Sequence, residues 1–319
     1  MALSDLAVFS EYVYLAQTEV LRQQLDLFNA ASRGTITLGT KAHVGDYSDS
    51  AYWAKISGLV RRRNPYGSGA VTHKSLEHLV DTMVKVAAGT PPIDIPPSQF
   101  RWIQRNPEEG GTIIGQQLAR DTLADMLNTS VAAAASALSG VAEVTVSDAA
   151  NFMAFPTFNT AQAKFGDAYT DIRAWVMHSK PLFDLYGNAL ANGESLFSFE
   201  TVNVKTDGFG RVFIISDSPG LVNMTPTPDQ YHTLGLTAGA ITLDQNADFD
   251  DHMDTSNGDE NIQRNYQAEW SYELGIKGFA WDKANGGAAP NDAALIMQSN
   301  WDRLSTSHKD LAGVLVVTK

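Results

Sequence analysis

The sequence predicts an α+β protein, and three observations carry that reading. Residues 106–139 form one helical pattern of unusual length, residues 3–31 form a second, and the chain after residue 140 changes to short strands and turns. The long pattern has a well-marked start. Asn106 can cap, Pro107 suits the first helical position because its missing N–H is not needed there, and Glu108 and Glu109 sit where the helix dipole favours negative charge. Ile114, Leu118, Leu123, Met126, Leu127 and Val131 then recur at steps of three to five, followed by the alanines 132–135 and a stop at Gly140. Such a helix would run about 50 Å and cross a whole domain. Gly110, Gly111 and Gly115 weaken its first turns.

In residues 3–31, Leu6, Phe9, Val13, Ala16, Val20 and Leu27 make an apolar face that nothing nearby in the sequence can cover. It must dock on the body or on another subunit. Phe9, Val13 and Val20 are therefore candidate intersubunit contacts, and residues 1–34 should be removable without unfolding the rest.

Residues 35–105 carry little core of their own. A short strand is expected at 35–38, polar turns at Gly45-Asp46 and at Ser48–Ser50, and an extended segment from Tyr52 to Val60. Arg61, Arg62 and Arg63 followed by Asn64-Pro65-Tyr66-Gly67-Ser68-Gly69 make a basic, turn-rich tip, after which residues 76–86 mix helix and strand character. Seventy residues of this kind read as a protruding loop. The three arginines are candidate intersubunit contacts, against the commoner fate of a solvated charge run.

Beyond the long helix, residues 141–146 suggest a strand. Residues 167–186 contain a helical or helix-flanking run with Ile172, Trp175, Val176, Met177 and Leu182. Residues 201–206, Asp207-Gly208 and residues 209–216 read as a hairpin with a two-residue turn. A strand follows at 240–243, and Trp270, Tyr272, Leu274 and Ile276 alternate as in a half-buried one. Asn285-Gly286-Gly287 turns the chain, residues 301–304 pack, and residues 313–318 form a last strand.

Composition narrows the function. The net charge of −13 argues against a dedicated nucleic-acid binder, and it is uneven, near +2 for residues 1–105 and −15 for residues 106–319. No cysteine is present, which removes disulfides, thiolate nucleophiles and cysteine-ligated zinc. No run approaches a membrane span, and residues 1–6 lack the order of a secretion signal, so the chain is expected to be made inside a cell. Residues 244–260 hold seven acids and no Lys or Arg, but the EF-hand frame fails at Phe249 and Thr255, so a solvated acidic loop is expected. His73 and His78 are five apart, His178 follows an apolar run, and no phosphate-loop, GxSxG or GxGxxG pattern occurs. No catalytic, cofactor or metal residues are assigned.

Taken in order, the arm, loop, long helix, mixed region and returning strands resemble the major capsid proteins of tailed bacteriophages, the Hong Kong 97 phage fold. Local stretches carry the resemblance: Arg173-Ala174-Trp175-Val176-Met177-His178 with residues 182–186 is similar to the helix after the spine, and Gly210-Arg211-Val212-Phe213-Ile214-Ile215-Ser216-Asp217 to the core strand that follows. Gly239-Ala240-Ile241, residues 273–281, Asn300-Trp301 and residues 313–318 are similar to the closing segments. The resemblance implies an N-terminal arm at 1–34, an extended loop and stalk at 35–100, and a peripheral domain at 101–144 with its spine at 106–139. An axial domain would follow at 145–265, with strands 266–319 returning to the peripheral domain. It implies a non-enzymatic shell protein that assembles as pentamers and hexamers around double-stranded DNA in the host cytoplasm. No cofactor is expected; the partners would be a scaffolding protein, a portal and a decoration protein, with weak, non-specific DNA contact. The alternatives are an encapsulin-type nanocompartment shell and, from a different class, a soluble metal-dependent or hydrolytic enzyme.

Overall fold

Helix α1 (Leu3–Ala31) buries Phe9, Val13, Gln17, Leu21, Leu25 and Phe28, a stripe at steps of three and four residues that is the core face of an amphipathic helix. The computed structural model describes residues 3–53, 60–76, 78–186, 194–199, 202–206, 211–224, 227–257 and 262–319. Strands β1 (Ile36–Thr40), β2 (Tyr47–Trp53), β3 (His78–Gly89) and β4 (Ile93–Asp94) follow, then helices α2 (Pro97–Arg105) and α3 (Pro107–Ser139). After α3 come β5 (Thr145–Asp148), α4 (Phe155–Lys164), β6 (Ile172–Met177), α5 (Ser179–Tyr186), β7 (Glu194–Phe199), β8 (Val202–Thr206), β9 (Val212–Ser216) and β10 (Val222–Asn223). The chain closes with β11 (Gln230–Thr237), β12 (Ile241–Gln245), β13 (Asp250–Ser256), β14 (Gln263–Ile276), β15 (Phe279–Trp281), α6 (Asp292–Leu295), β16 (Trp301–Arg303) and β17 (Gly313–Thr318).

Among the described residues the strands form two sheets. The first has nine strands centred on β14, which pairs antiparallel with β3, β4, β12, β13 and β15; β1 lies parallel to β12, β2 pairs with β3, and β16 with β15. The second has eight, in the order β5-β17-β11-β6-β9-β8-β7, with β10 on β11. Buried residues of α1, α3 and both sheets join in one core, while Phe9, Val13, Ile95, Phe100, Ile103, Leu118, Tyr266 and Trp270 form a smaller one at the start of the long helix.

Helix α3 has 33 residues, with Pro107 at its first position and Glu108 and Glu109 in its first turn, as expected. Asn106 holds the capping position without accepting a backbone N–H; its side-chain amide donates instead to Glu109 Oε2 at 3.2 Å. The helix has two characters. Its first half buries one stripe, but Ser130, Val131, Ala133, Ala134, Ala135, Ala137 and Leu138 widen the buried face to a little more than half of the circumference. Alanine permits this closeness. A side-chain carbon on Gly220, in the turn Pro219–Leu221, would stand 2.3 Å from the Ala132 methyl.

The glycines at the other end have the same use. A Cβ on Gly111 would lie 2.8 Å from the Phe9 carbonyl, and one on Gly115 would lie 2.5 Å from the Val13 carbonyl. They weaken the helix and admit the α1 backbone. Helix α1 is therefore part of the protomer's core and not a separable arm; losing it would uncover the surfaces that Phe9, Val13, Leu21, Leu25 and Phe28 cover.

Several expectations change because the sheets decide them. Ile172–Met177 is a strand, buried from Ala174 to Met177 because β9 and β11 flank it; the helix begins only at Ser179. Ser48–Ser50 are not a turn but lie within β2, paired with β3. The acidic run is not a loop, because Asp250–Ser256 pairs with β14 along its whole length. Trp270–Ile276 is buried on both faces, between β3 and β12. In the hairpin of β8 and β9, Thr206 stands opposite Val212, which leaves five intervening residues; Asp207-Gly208 lies outside the described residues. Strands β12, β13 and β14 belong to the first sheet, and β17 sits inside the second between β5 and β11, so residues 145–265 and 266–319 are each divided between sheets. Helices α2 and α4 had no sequence signal strong enough to announce them.

Gly115→Ala should lower stability by about 1–3 kcal/mol, because overpacking against α1 outweighs the ~1 kcal/mol that alanine adds to helix propensity. Thermal unfolding of the purified variant measures this, and an unchanged or raised midpoint would refute the close crossing. Removing residues 1–34 should yield an unfolded or insoluble chain, read by circular dichroism and sedimentation.

Candidate assembly surfaces

Strands β2 and β3 are an antiparallel pair joined by 24 residues, from Trp53 on one side to His78 on the other. Residues 60–76 are exposed throughout and carry no helix or strand. Asn64 organises the tip: its Oδ1 accepts from the Tyr66 N–H at 3.0 Å and its carbonyl from the Gly67 N–H at 3.3 Å. Arg61, Arg62 and Arg63 are exposed and make no ion pair among the described residues. Val60 and Tyr66 are 91% and 98% exposed. Exposed apolar side chains of this size mark candidate contact positions.

The root of this loop is tied to the body by charge. Asp49 on β2 receives Lys283 Nζ at 2.6 Å and Thr82 Oγ1 at 2.8 Å, and these two bonds lower its pKa. Lys85 on β3 lies 3.1 Å from Asp248. Asp248 also accepts the Ser271 N–H at 2.9 Å and the Ser271 hydroxyl, so despite partial burial its pKa is held below the usual carboxylate range. Glu273, opposite Lys85 in the sheet, is fully buried; neither oxygen is hydrogen-bonded, and His43 Nε2 stands 3.6 Å away. Burial raises the pKa of Asp81, further along β3.

Of the helix α1 candidates, Phe9 and Val13 are buried inside the protomer, Phe9 edge-on to Tyr266 at 5.9 Å, and Val20 packs at the margin of the main core. Their face is consumed within the chain. Leu27, expected on it, is 57% exposed, and Tyr14 and Leu15 lie open beside a groove against the first half of α3.

The acids of β13 divide by role. Asp251 accepts from Tyr266 at 3.0 Å and from Ser10 of α1, while Asp250 and Asp254 are exposed. Asp259 and Glu260 lie outside the described residues. His178 marks the junction of β6 and α5, where its Nδ1 accepts the Lys180 N–H at 3.2 Å and its Nε2 is 3.5 Å from Asp217. His73 is exposed in the loop and His78 begins β3. Among the described residues no group of three or more His, Asp or Glu side chains could hold a metal ion, and no helix is long and apolar enough to cross a membrane.

A family profile described as Gp13-like, major capsid protein 13-like, matches residues 5–315. The chain belongs to this family of major capsid proteins. No curated protein matches the capsid protein in sequence. Among solved structures it is similar to the capsid of cyanophage Pam1, with a TM-score of 0.50 and 11% identity over 89% of this chain and 88% of that one. The head of Helicobacter pylori bacteriophage KHP40 gives 0.47 at 11% identity, over 91% and 88%. The capsid of Ralstonia phage GP4 gives 0.47 at 10%, over 89% and 87%. The fold is the Hong Kong 97-like capsid fold, and the chain is a structural major capsid protein. The shell reading thus stands over the enzyme alternative.

At the loop root of the capsid protein, Ser271 and Lys85 favour the ionised form of Asp248. Asp248 has a folded-state pKa below its unfolded value, so its contribution to stability is complete above about pH 4 and is lost as pH falls through the folded value. Asp248→Asn should therefore destabilise the chain in urea near pH 7, with the gap to wild type narrowing as pH falls below the unfolded carboxylate value and through the folded one. A gap that stays constant with pH would exclude the charge as its source.

Proposed function

We propose that this protein tiles an icosahedral phage head as pentamers and hexamers, enclosing double-stranded DNA without catalysing a reaction. The exposed residues 60–76, within the connection between β2 and β3, carry this reading: among the described residues nothing covers Val60 or Tyr66 or ion-pairs with Arg61, Arg62 or Arg63. The connection serves as the extended loop that overlaps a neighbour, with Arg61, Arg62 and Arg63 pairing with acids of the adjacent body. Helix α3 and the first sheet form the peripheral domain, and the second sheet, including β17, forms the axial domain. The junction near residues 237–241 agrees with this division better than one at residue 265. Helix α1 acts as an arm that stays on its own spine, presenting Tyr14, Leu15 and Leu27 outward.

The net charge of −13 favours weak contact with DNA, since an acidic wall leaves the packaged polymer unbound and mobile. A separate scaffolding protein, a portal and a decoration protein complete the set of partners, and assembly takes place in the host cytoplasm. Light scattering and negative-stain microscopy of the purified protein, with and without its scaffold, test the reading. Closed shells or capsomer rings of five and six subunits are expected. A monodisperse monomer under every condition would overturn it.

A further inference from the structure

A cleft of about 490 Å³ lies where β3 ends, between the middle of α3, β14 and the segment leading into α6. Three carboxylates line it, Asp121 and Asp125 from α3 and Asp292 from α6, all exposed and none ion-paired among the described residues. Asp125 is accessible but crowded. Limited hydration and the neighbouring charge of Asp292 raise its pKa, and the Tyr272 hydroxyl, 3.4 Å away, offsets this only in part. The same cleft is lined by Trp270, 7% exposed, whose indole N–H is buried without a hydrogen-bond partner. Three carboxylates without an ion pair among the described residues concentrate negative charge in one cleft. An occupant of this cleft needs positive charge for the carboxylates.

We propose that this cleft receives Arg61, Arg62 and Arg63 from a second copy of the chain. The inference rests on the reading that the β2–β3 loop contacts a neighbour, and it names the receptor. The arginines supply the complementary charge, exposed and without an ion pair among the described residues. Their own cleft is out of line: the loop joins β3 at His78, whereas the cleft lies at Val86–Pro91, so eight residues of β3 separate the two by ~27 Å at the nearest. Folding the loop back along β3 would bury part of residues 60–76, and all of them are exposed. Arginine suits the site better than lysine, because its planar fork engages two carboxylate oxygens and remains charged beside the aromatic rings.

The absence of cysteine makes the test clean. Chains carrying Arg62→Cys with Asp121→Cys, assembled and treated with a short bismaleimide, should give a ladder of covalent oligomers. Arg62→Cys with Asp254→Cys, on the acidic edge of β13, should not. Cross-linking only to position 254 would overturn this receptor while leaving the loop–neighbour reading intact; no ladder from either pair would overturn both. Should the substituted chains fail to assemble, a fluorescent peptide of residues 60–70 is titrated against the unassembled wild-type chain and the Asp121→Asn/Asp292→Asn variant. About a tenfold weaker affinity in the variant is expected, and equal affinity refutes the proposal.

Discussion

Everything else in this protomer depends on the close crossing of α1 over the first half of α3. Helix axes approach so nearly only where side chains are absent, and Gly111 and Gly115 leave the Phe9 and Val13 carbonyls room beside the long helix. That approach lets Phe9 reach Tyr266 and Ser10 reach Asp251, so one helix also holds β13 and β14. Glycine's weakness in a helix is offset by the core it allows. At the far end of α3, alanines do the same for both sheets.

Strand β14 is the second organiser. Its fourteen residues pair in turn with β13, β4, β3, β12 and β15, so it connects the acidic edge, the root of the loop and the closing strands. Polar side chains are embedded along it: Ser271 fixes Asp248, which fixes Lys85 on β3, and Glu273 lies buried beside His43. Load applied to the loop of a shell protein would pass through β3 into this strand and then into α3. A buried, poorly paired carboxylate at that joint favours one arrangement of charges over alternatives more than it adds stability.

Charge separates body from loop. Acids dominate the sequence after residue 105, while the exposed tip concentrates three arginines on a segment without a core of its own. A monomer keeps these apart, since β3 holds the tip away from the acids at its other end. Under the proposed assembly, complementarity that one chain leaves unsatisfied would be satisfied between chains.

Local signals in the sequence were enough for the long helix, the first helix, the exposed basic tip and the strands near residues 36, 241 and 313. Each rests on periodicity, caps or turn chemistry within a few residues. Tertiary structure decided the rest. Trp175 and Met177 read as well for a helix as for a strand, and only flanking by β9 and β11 resolves them. The acids at 250–256 look like a solvated loop until β14 supplies a pairing edge. Phe9 and Val13 announce an apolar face but not its partner, because the glycines that receive it lie a hundred residues later and read as helix breakers. The cleft of Asp121, Asp125 and Asp292 has no sequence signature at all, since those residues meet only when the chain returns after some 170 positions to set Asp292 beside the long helix. Short-range physics writes elements into a sequence, whereas sites made from distant residues exist only once packing has brought them together.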